Sequence, residues 1–200
     1  MLFNSVEFII FLSVVFIIYW LILNKHLGLQ NLFILVVSYL FYGWWDWRFL
    51  FLIFISSLAD YFCGLLIYKY RDSKKKGKYF LIFSLFFNLS LLVFFKYYNF
   101  FIESFVEFSS LIGFKASYAT LKIILPVGIS FYTFQTLSYT IDVYRERIFP
   151  TKDIIAFFAF VSFFPQLVAG PVERAKNLLP QFKSARKFEK KQAKDGLRQI

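Results

Sequence analysis

The sequence predicts an all-α fold, a polytopic integral membrane helix bundle whose second half carries broken or re-entrant helices. Three observations predict it. The 200 residues are 59% hydrophobic and 24% aromatic, with only 18% charged, whereas soluble domains are about 45–50% apolar and about 25% charged. A globule of this size has too little interior to hide that much apolar surface, and disordered chains are poor in aromatics. Apolar runs recur near the roughly 20 residues that carry a helix across a hydrocarbon core. All five prolines follow residue 125, at Pro126, Pro150, Pro165, Pro171 and Pro180, so the first part can hold uninterrupted helices and the remainder cannot.

The elements follow in order. Residues 8–23 form the first span, ending in Tyr19 and Trp20 at headgroup level. Residues 27–43, 49–68 and 79–95 are the next three, bounded by charge, by Gly or by the Trp44–Arg48 cluster, which reads as an aromatic interface belt. Residues 99–114 mix Glu103 and Glu107 with aromatics, as suits an interfacial or re-entrant helix. Residues 123–141 return across the bilayer, residues 154–168 make a re-entrant hairpin broken at Pro165 and at Gly170-Pro171, and residues 181–198 read as an amphipathic surface helix. Together residues 1–200 are read as one portion of a single multi-pass domain.

The formal net charge of +11 is concentrated: six of the 23 Lys and Arg residues lie in Lys69–Lys78 and nine in Arg174–Arg198. Basic blocks beside apolar spans mark cytoplasmic loops facing anionic inner-leaflet lipids. This distribution argues against nucleic acid as a partner and places loops 69–78 and 174–198 in the cytoplasm and the N-terminus outside a plasma or inner membrane. No basic leader segment precedes the first apolar run, so no cleaved signal peptide is expected. Cys63 stands alone, and with one histidine, His26, in a short loop, neither a metal site nor a His-based catalytic site can be assembled.

The densest polar run inside an apolar span is Ser130 to Asp142. Tyr132, Gln135, Thr136 and Tyr139 fall at i, i+3, i+4 and i+7 and share one helix face, which in lipid must point into the bundle or a wet cavity. Two readings stay open, a tunnel wall or interhelical hydrogen bonding. Asp60, mid-span beside Ser56 and Ser57, is either a functional carboxylate or a structural one paired with Lys96 or a tyrosine. The run Pro165 to Pro171, followed by Glu173 and Arg174, either frees backbone groups for a substrate or simply turns at the surface.

Leu125-Pro126-Val127-Gly128-Ile129-Ser130-Phe131-Tyr132-Thr133-Phe134-Gln135, continuing to Asp142-Val143-Tyr144-Arg145, resembles a signature of the membrane-bound O-acyltransferases, in the alginate O-acetyltransferase branch. Phe163-Phe164-Pro165-Gln166-Leu167-Val168-Ala169-Gly170-Pro171-Val172-Glu173-Arg174 is similar to that family's second signature. The resemblance implies an enzyme with a membrane-embedded tunnel that moves an acyl group from a thioester or related donor, with no bound cofactor, to a hydroxyl acceptor such as an exported or cell-surface polysaccharide. It also implies acyl-carrier or extracytoplasmic partner proteins. Tyr132, Gln135, Tyr139, Asp142 and Arg145 would line or gate the tunnel; Gln166, Gly170, Pro171, Glu173 and Arg174 would shape its cytoplasmic mouth. The family's catalytic His belongs to a later helix, beyond residue 200, so the 1–200 piece alone is expected to be inactive. A transporter or flippase module and a non-enzymatic membrane scaffold are the competing readings, since broken helices around polar residues also mark carrier sites.

Overall fold

A computed structural model describes residues 5–112, 126, 128–169 and 173–198. Among these the chain is helical throughout its regular structure, with no strand. Helix α1 (Val6–Ile17) starts at Ser5, whose hydroxyl accepts the Phe8 N–H at 3.2 Å, satisfying one of the orphan amides of a helix start. It runs on into a π-helical turn, Ile18–Ile22. Helix α2 (Leu27–Asp46) and α3 (Arg48–Lys69) are separated by Trp47 alone, where Asp46 and Arg48 form an ion pair at 2.6 Å. Trp44, Trp45 and Trp47 are all exposed there.

Helices α2, α3 and α4 (Lys74–Leu111) are each long and apolar enough to cross a membrane. The 38 residues of α4 extend about 57 Å at 1.5 Å per residue. This corrects the expectation of separate helices over 79–95 and 99–114: one helix passes straight through Lys96. The physical reason is that no Gly or Pro stands between Gly77 and Gly113, and a charge at the interface does not break a helix.

The core forms where α3 meets α4 and α5 (Ile129–Tyr144), and where α2 meets α6 (Ile154–Val161). Hydrocarbon supplies no hydrophobic drive between helices, so close packing and hydrogen bonds must hold them. Small residues allow that approach: Ser56, Ser57 and Gly64 on α3 and Ser84 on α4 are buried. Gly64 is required, since a Cβ there would sit 2.7 Å from the Tyr139 hydroxyl.

After α6 the chain turns at Ser162–Phe163 and enters α7 (Phe164–Ala169), then α8 (Ala175–Lys183) and α9 (Lys190–Leu197). The break expected at Pro165 thus falls earlier. Pro165 is instead the second residue of α7, where its missing N–H costs nothing. Gly170 and Pro171 lie outside the described residues. Segment 149–186 enters and leaves at the same end of the bundle. Phe149 packs on Tyr68 near the end of α3, Leu167 reaches the Gly128–Tyr42 region at the opposite end, and the Phe182 carbonyl returns to Asn31 at the start of α2.

The tail also differs from expectation. A single surface helix over 181–198 is replaced by α8, an extended stretch from Ser184 to Glu189, and α9. Leu179 and Phe182 are buried in protein. Arg186 draws the extended stretch inward by hydrogen-bonding Tyr19, Asn31 and the Gln181 carbonyl.

Candidate functional site

Gly128 opens α5 with φ +76°, a left-handed conformation that glycine adopts without Cβ strain. The Tyr42 hydroxyl and the Leu167 carbonyl crowd the space where a Cβ would stand. From this start α5 carries its polar face inward: Tyr132, Gln135, Thr136 and Tyr139 are all buried.

The face meets helix ends. Because α6 stops at Val161, the Phe160 carbonyl has no intrahelical partner, and the Gln135 Nε2 donates to it at 2.8 Å. The same amide lies 3.3 Å from Gln166 Oε1. One turn on, the Ser138 hydroxyl donates to the Gln135 carbonyl at 2.8 Å and accepts the Ala175 N–H at 3.2 Å, which is an orphan amide of α8. Similarly the Phe164 N–H at the start of α7 donates to Ser38 of α2 at 3.3 Å. Each break in the hairpin is therefore matched by a side chain on α5 or α2, as burial of free backbone groups in lipid demands.

Tyr139, fully buried, packs its ring 4.7 Å from Phe157. Its hydroxyl points toward the Thr151 backbone without a hydrogen bond of full geometry. At the end of α5, Asp142 is buried; its Oδ1 lies 3.7 Å from Arg147, and its Oδ2 has no partner. Arg145, Glu173 and Arg174 are exposed, and Asn177 donates to Glu173 at 3.3 Å. The structure thus brings Tyr132, Gln135, Tyr139 and Gln166 into the interior and leaves the three charged residues at the surface.

The adjoining side of α5, starting at Thr136, faces a second polar cluster. Asp60 of α3 accepts the Ser84 hydroxyl at 2.6 Å and the Asn88 amide at 2.9 and 2.8 Å, one contact to each carboxylate oxygen. Ser84 also lies 3.2 Å from the Thr140 hydroxyl, and Thr136 is within reach of the carboxylate. This corrects the pairing expected with Lys96 or a tyrosine: Lys96 is exposed, and neutral groups on α4 and α5 hold Asp60. Sequence reading passed over Ser84 and Asn88, although their i, i+4 spacing inside an apolar span was the available signal.

Three cavities are described. One of about 590 Å³ lies between α2, α3 and α6 and is lined by Leu35, Tyr39, Leu50, Phe54 and Phe158. One of about 300 Å³ lies between α1 and α8, and another of about 300 Å³ lies beside Phe149 and Leu179. Tyr132, Gln135, Tyr139, Asp142, Arg145 and Gln166 line none of these three; the hairpin packs over Gln135 and Tyr139. His26 is exposed, and Cys63 is a buried free thiol. No group of three or more His, Cys, Asp or Glu residues is placed to hold a metal among the described residues.

Compared with known proteins, the chain is 40% identical over 183 residues to the Pseudomonas aeruginosa protein named "Probable alginate O-acetylase AlgI", covering 91% of this chain and 34% of that one. The protein of the same name from Pseudomonas putida is 38% identical over 183 residues, 91% of this chain and 37% of the relative. A Helicobacter pylori protein named "Peptidoglycan O-acetyltransferase" is 36% identical over 210 aligned positions, 92% of this chain and 39% of that protein. Along this stretch the chain is similar to the alginate O-acetylases. It spans about a third of the length of these curated relatives. No family model and no solved structure matches. With its three long apolar helices, it is a membrane protein.

Proposed function

We propose that the protein containing this chain transfers an acetyl group from a thioester or related donor to hydroxyls of a polysaccharide outside the cytoplasm. The observation that carries the reading is the likeness to O-acetylases over nine-tenths of this chain, extending through both polar segments of the hairpin region. The geometry supports it in one respect. Among the described residues, the Phe160 carbonyl, the Phe164 N–H and the Ala175 N–H at the helix breaks each meet a side chain of α5 or α2, and a polar-centred wall closed in this way helps keep water from a thioester.

In this reading Gln135 and Gln166 hold the hairpin in place, and Tyr132 and Tyr139 fix the wall's surface. Asp142, Arg145, Glu173 and Arg174 stand at the mouth. Arg145 and Arg174 present cations to an anionic donor or carrier protein. The basic stretches 69–78 and 174–198 face the cytoplasm and its anionic lipids, and the N-terminus faces outward. The start of α4 and the end of α5 lie together, since a Cβ at Gly77 would stand 3.8 Å from the Tyr144 ring, which suits that placement.

The test uses membranes carrying the full-length protein, an isotope-labelled acetyl thioester, and alginate or peptidoglycan as acceptor. Base-labile label in one polysaccharide is expected. Full membrane insertion with no label transferred to either, by membranes of cells that make the protein natively, would reject the proposal.

A further inference from the structure

A slot of about 300 Å³ separates α1 from the start of α7 and from α8, at the lower end of the roughly 300–1,000 Å³ typical of small-molecule sites. Aromatic rings bridge it at both ends. Phe11 meets Phe41 at 5.7 Å and Phe164 at 5.5 Å on one side, while Phe188 meets Phe16 at 6.0 Å and Trp20 at 5.2 Å on the other. Between them the walls are apolar, including Leu12, Val15, Ile34 and Phe163, and the polar groups gather at one end around Arg186.

Arg186 is fixed in direction. Its Nε donates to the Gln181 carbonyl at 2.9 Å, one terminal nitrogen to the Asn31 Oδ1 at 2.7 Å and the other to the Tyr19 hydroxyl. Its plane lies 4.8 Å from the Phe182 ring centre. A guanidinium has five N–H donors, so two remain. All three acceptors are neutral, and Arg186 forms no ion pair among the described residues. Lys183 and Lys187 stand exposed on either side. A half-buried cation locked by neutral groups at the head of an apolar slot lacks one thing, an anion carrying an apolar tail. Because the guanidinium is already oriented, an anion binding there loses little further freedom.

We infer that this slot binds an anionic phospholipid, its phosphate on Arg186 and one acyl chain lying between α1 and the Phe163–Pro165 and α8 wall. Charge complementarity selects the headgroup, and the apolar walls require the chain. The outer side of α1, with Ile9, Ile10, Leu21 and Ile22 exposed, brings the slot to the bilayer. The bound lipid seats the basic tail against α1. The inference needs only the membrane setting, not the transfer reaction, and is read by binding alone.

The experiment is native mass spectrometry of the full-length protein released from nanodiscs of equimolar phosphatidylglycerol and phosphatidylcholine. Wild type is expected to retain phosphatidylglycerol at least about fivefold over phosphatidylcholine, roughly 1 kcal/mol. Arg186→Gln equalises the two, whereas Arg186→Lys keeps most of the preference. Leu12→Trp, which fills the slot from a partly exposed position and leaves Arg186 intact, lowers retention of both lipids. Equal retention by wild type, a preference that survives Arg186→Gln, or full retention in Leu12→Trp overturns the inference. So does displacement of the lipid by millimolar inorganic phosphate, which marks a simple anion site, or by acetyl-CoA, which marks a donor site. If Arg186→Gln fails to fold, the Leu12→Trp and Arg186→Lys arms decide alone.

Discussion

Replacing Asp60 by Ala removes the carboxylate that accepts three hydrogen bonds, one from Ser84 and two from Asn88, and leaves these donors only the Thr140 hydroxyl and the Ser84 carbonyl. Interhelical hydrogen bonds in membranes average about 0.6 kcal/mol, which gives about 2 kcal/mol for three neutral bonds. A charged acceptor roughly doubles each bond, setting the upper figure near 4 kcal/mol. The donors left behind lie on α4, buried at 0% and 1% exposure, so water cannot replace the lost acceptor. The expected loss is therefore about 2–4 kcal/mol, read as unfolding of the full-length protein in mixed micelles at increasing denaturing-detergent fraction. Asn88→Ala should cost less, and the double variant should fall short of the summed losses by about 1 kcal/mol because the two residues act as a unit. Asp60→Asn retains the shape and should recover part of the loss. If Asp60→Ala unfolds within about 0.5 kcal/mol of wild type, the ordinary scatter of surface changes, the carboxylate does not clamp α3 to α4. A variant that keeps full stability yet loses acetyl transfer would instead make Asp60 part of the chemistry.

Gly64→Ala drives a methyl into the Tyr139 ring, whose Cε1 is 2.5 Å and hydroxyl 2.7 Å from the new Cβ. With that ring pinned against Phe157, overpacking should cost about 1–3 kcal/mol, with Tyr139→Phe restoring only a fraction; an unshifted unfolding midpoint would show that the interface yields. Gly128→Ala meets left-handed strain of about 1–2 kcal/mol and the Tyr42 hydroxyl, so Tyr42→Phe should relieve the steric share and leave the strain in a thermal-melt comparison. Gln135→Leu orphans the buried Phe160 carbonyl, costing about 1–3 kcal/mol, and should speed proteolytic cleavage near residues 170–186 as the hairpin loosens. Arg48→Gln breaks an exposed pair and should change stability by under about 1 kcal/mol in the same detergent titration.

The membrane bundle was legible in composition and in run length, and α1, α2 and α3 fall within a few residues of the apolar runs that mark them. Length and hydropathy suffice there because lipid imposes one requirement on every span, internal hydrogen bonding. The inward turn of Tyr132, Gln135 and Tyr139 was legible too, since helical spacing fixes a shared face. What that face meets was not. Gln135 finds Phe160 and Ser138 finds Ala175 across 25 and 37 residues, pairings set by the depth at which the hairpin turns. The continuity of α4 was hidden behind Lys96, which signals an interface without ending a helix. The break in the tail was equally hidden, because Arg186 is drawn toward Tyr19 and Asn31, more than 150 residues earlier.

The unbroken α4 has a geometric corollary. A rod of about 57 Å exceeds even the roughly 40–45 Å from headgroup to headgroup. Membrane helices lean by about 20° on average, and at that slant its projection is still some 53 Å. With Lys74 anchored at one surface, Glu103 reaches the far headgroups and only the last turn, bearing Glu107 and Phe108, stands proud of them like a mooring post. Anything that approaches from that compartment meets a stiff, acid-and-aromatic helix before it meets the lipid.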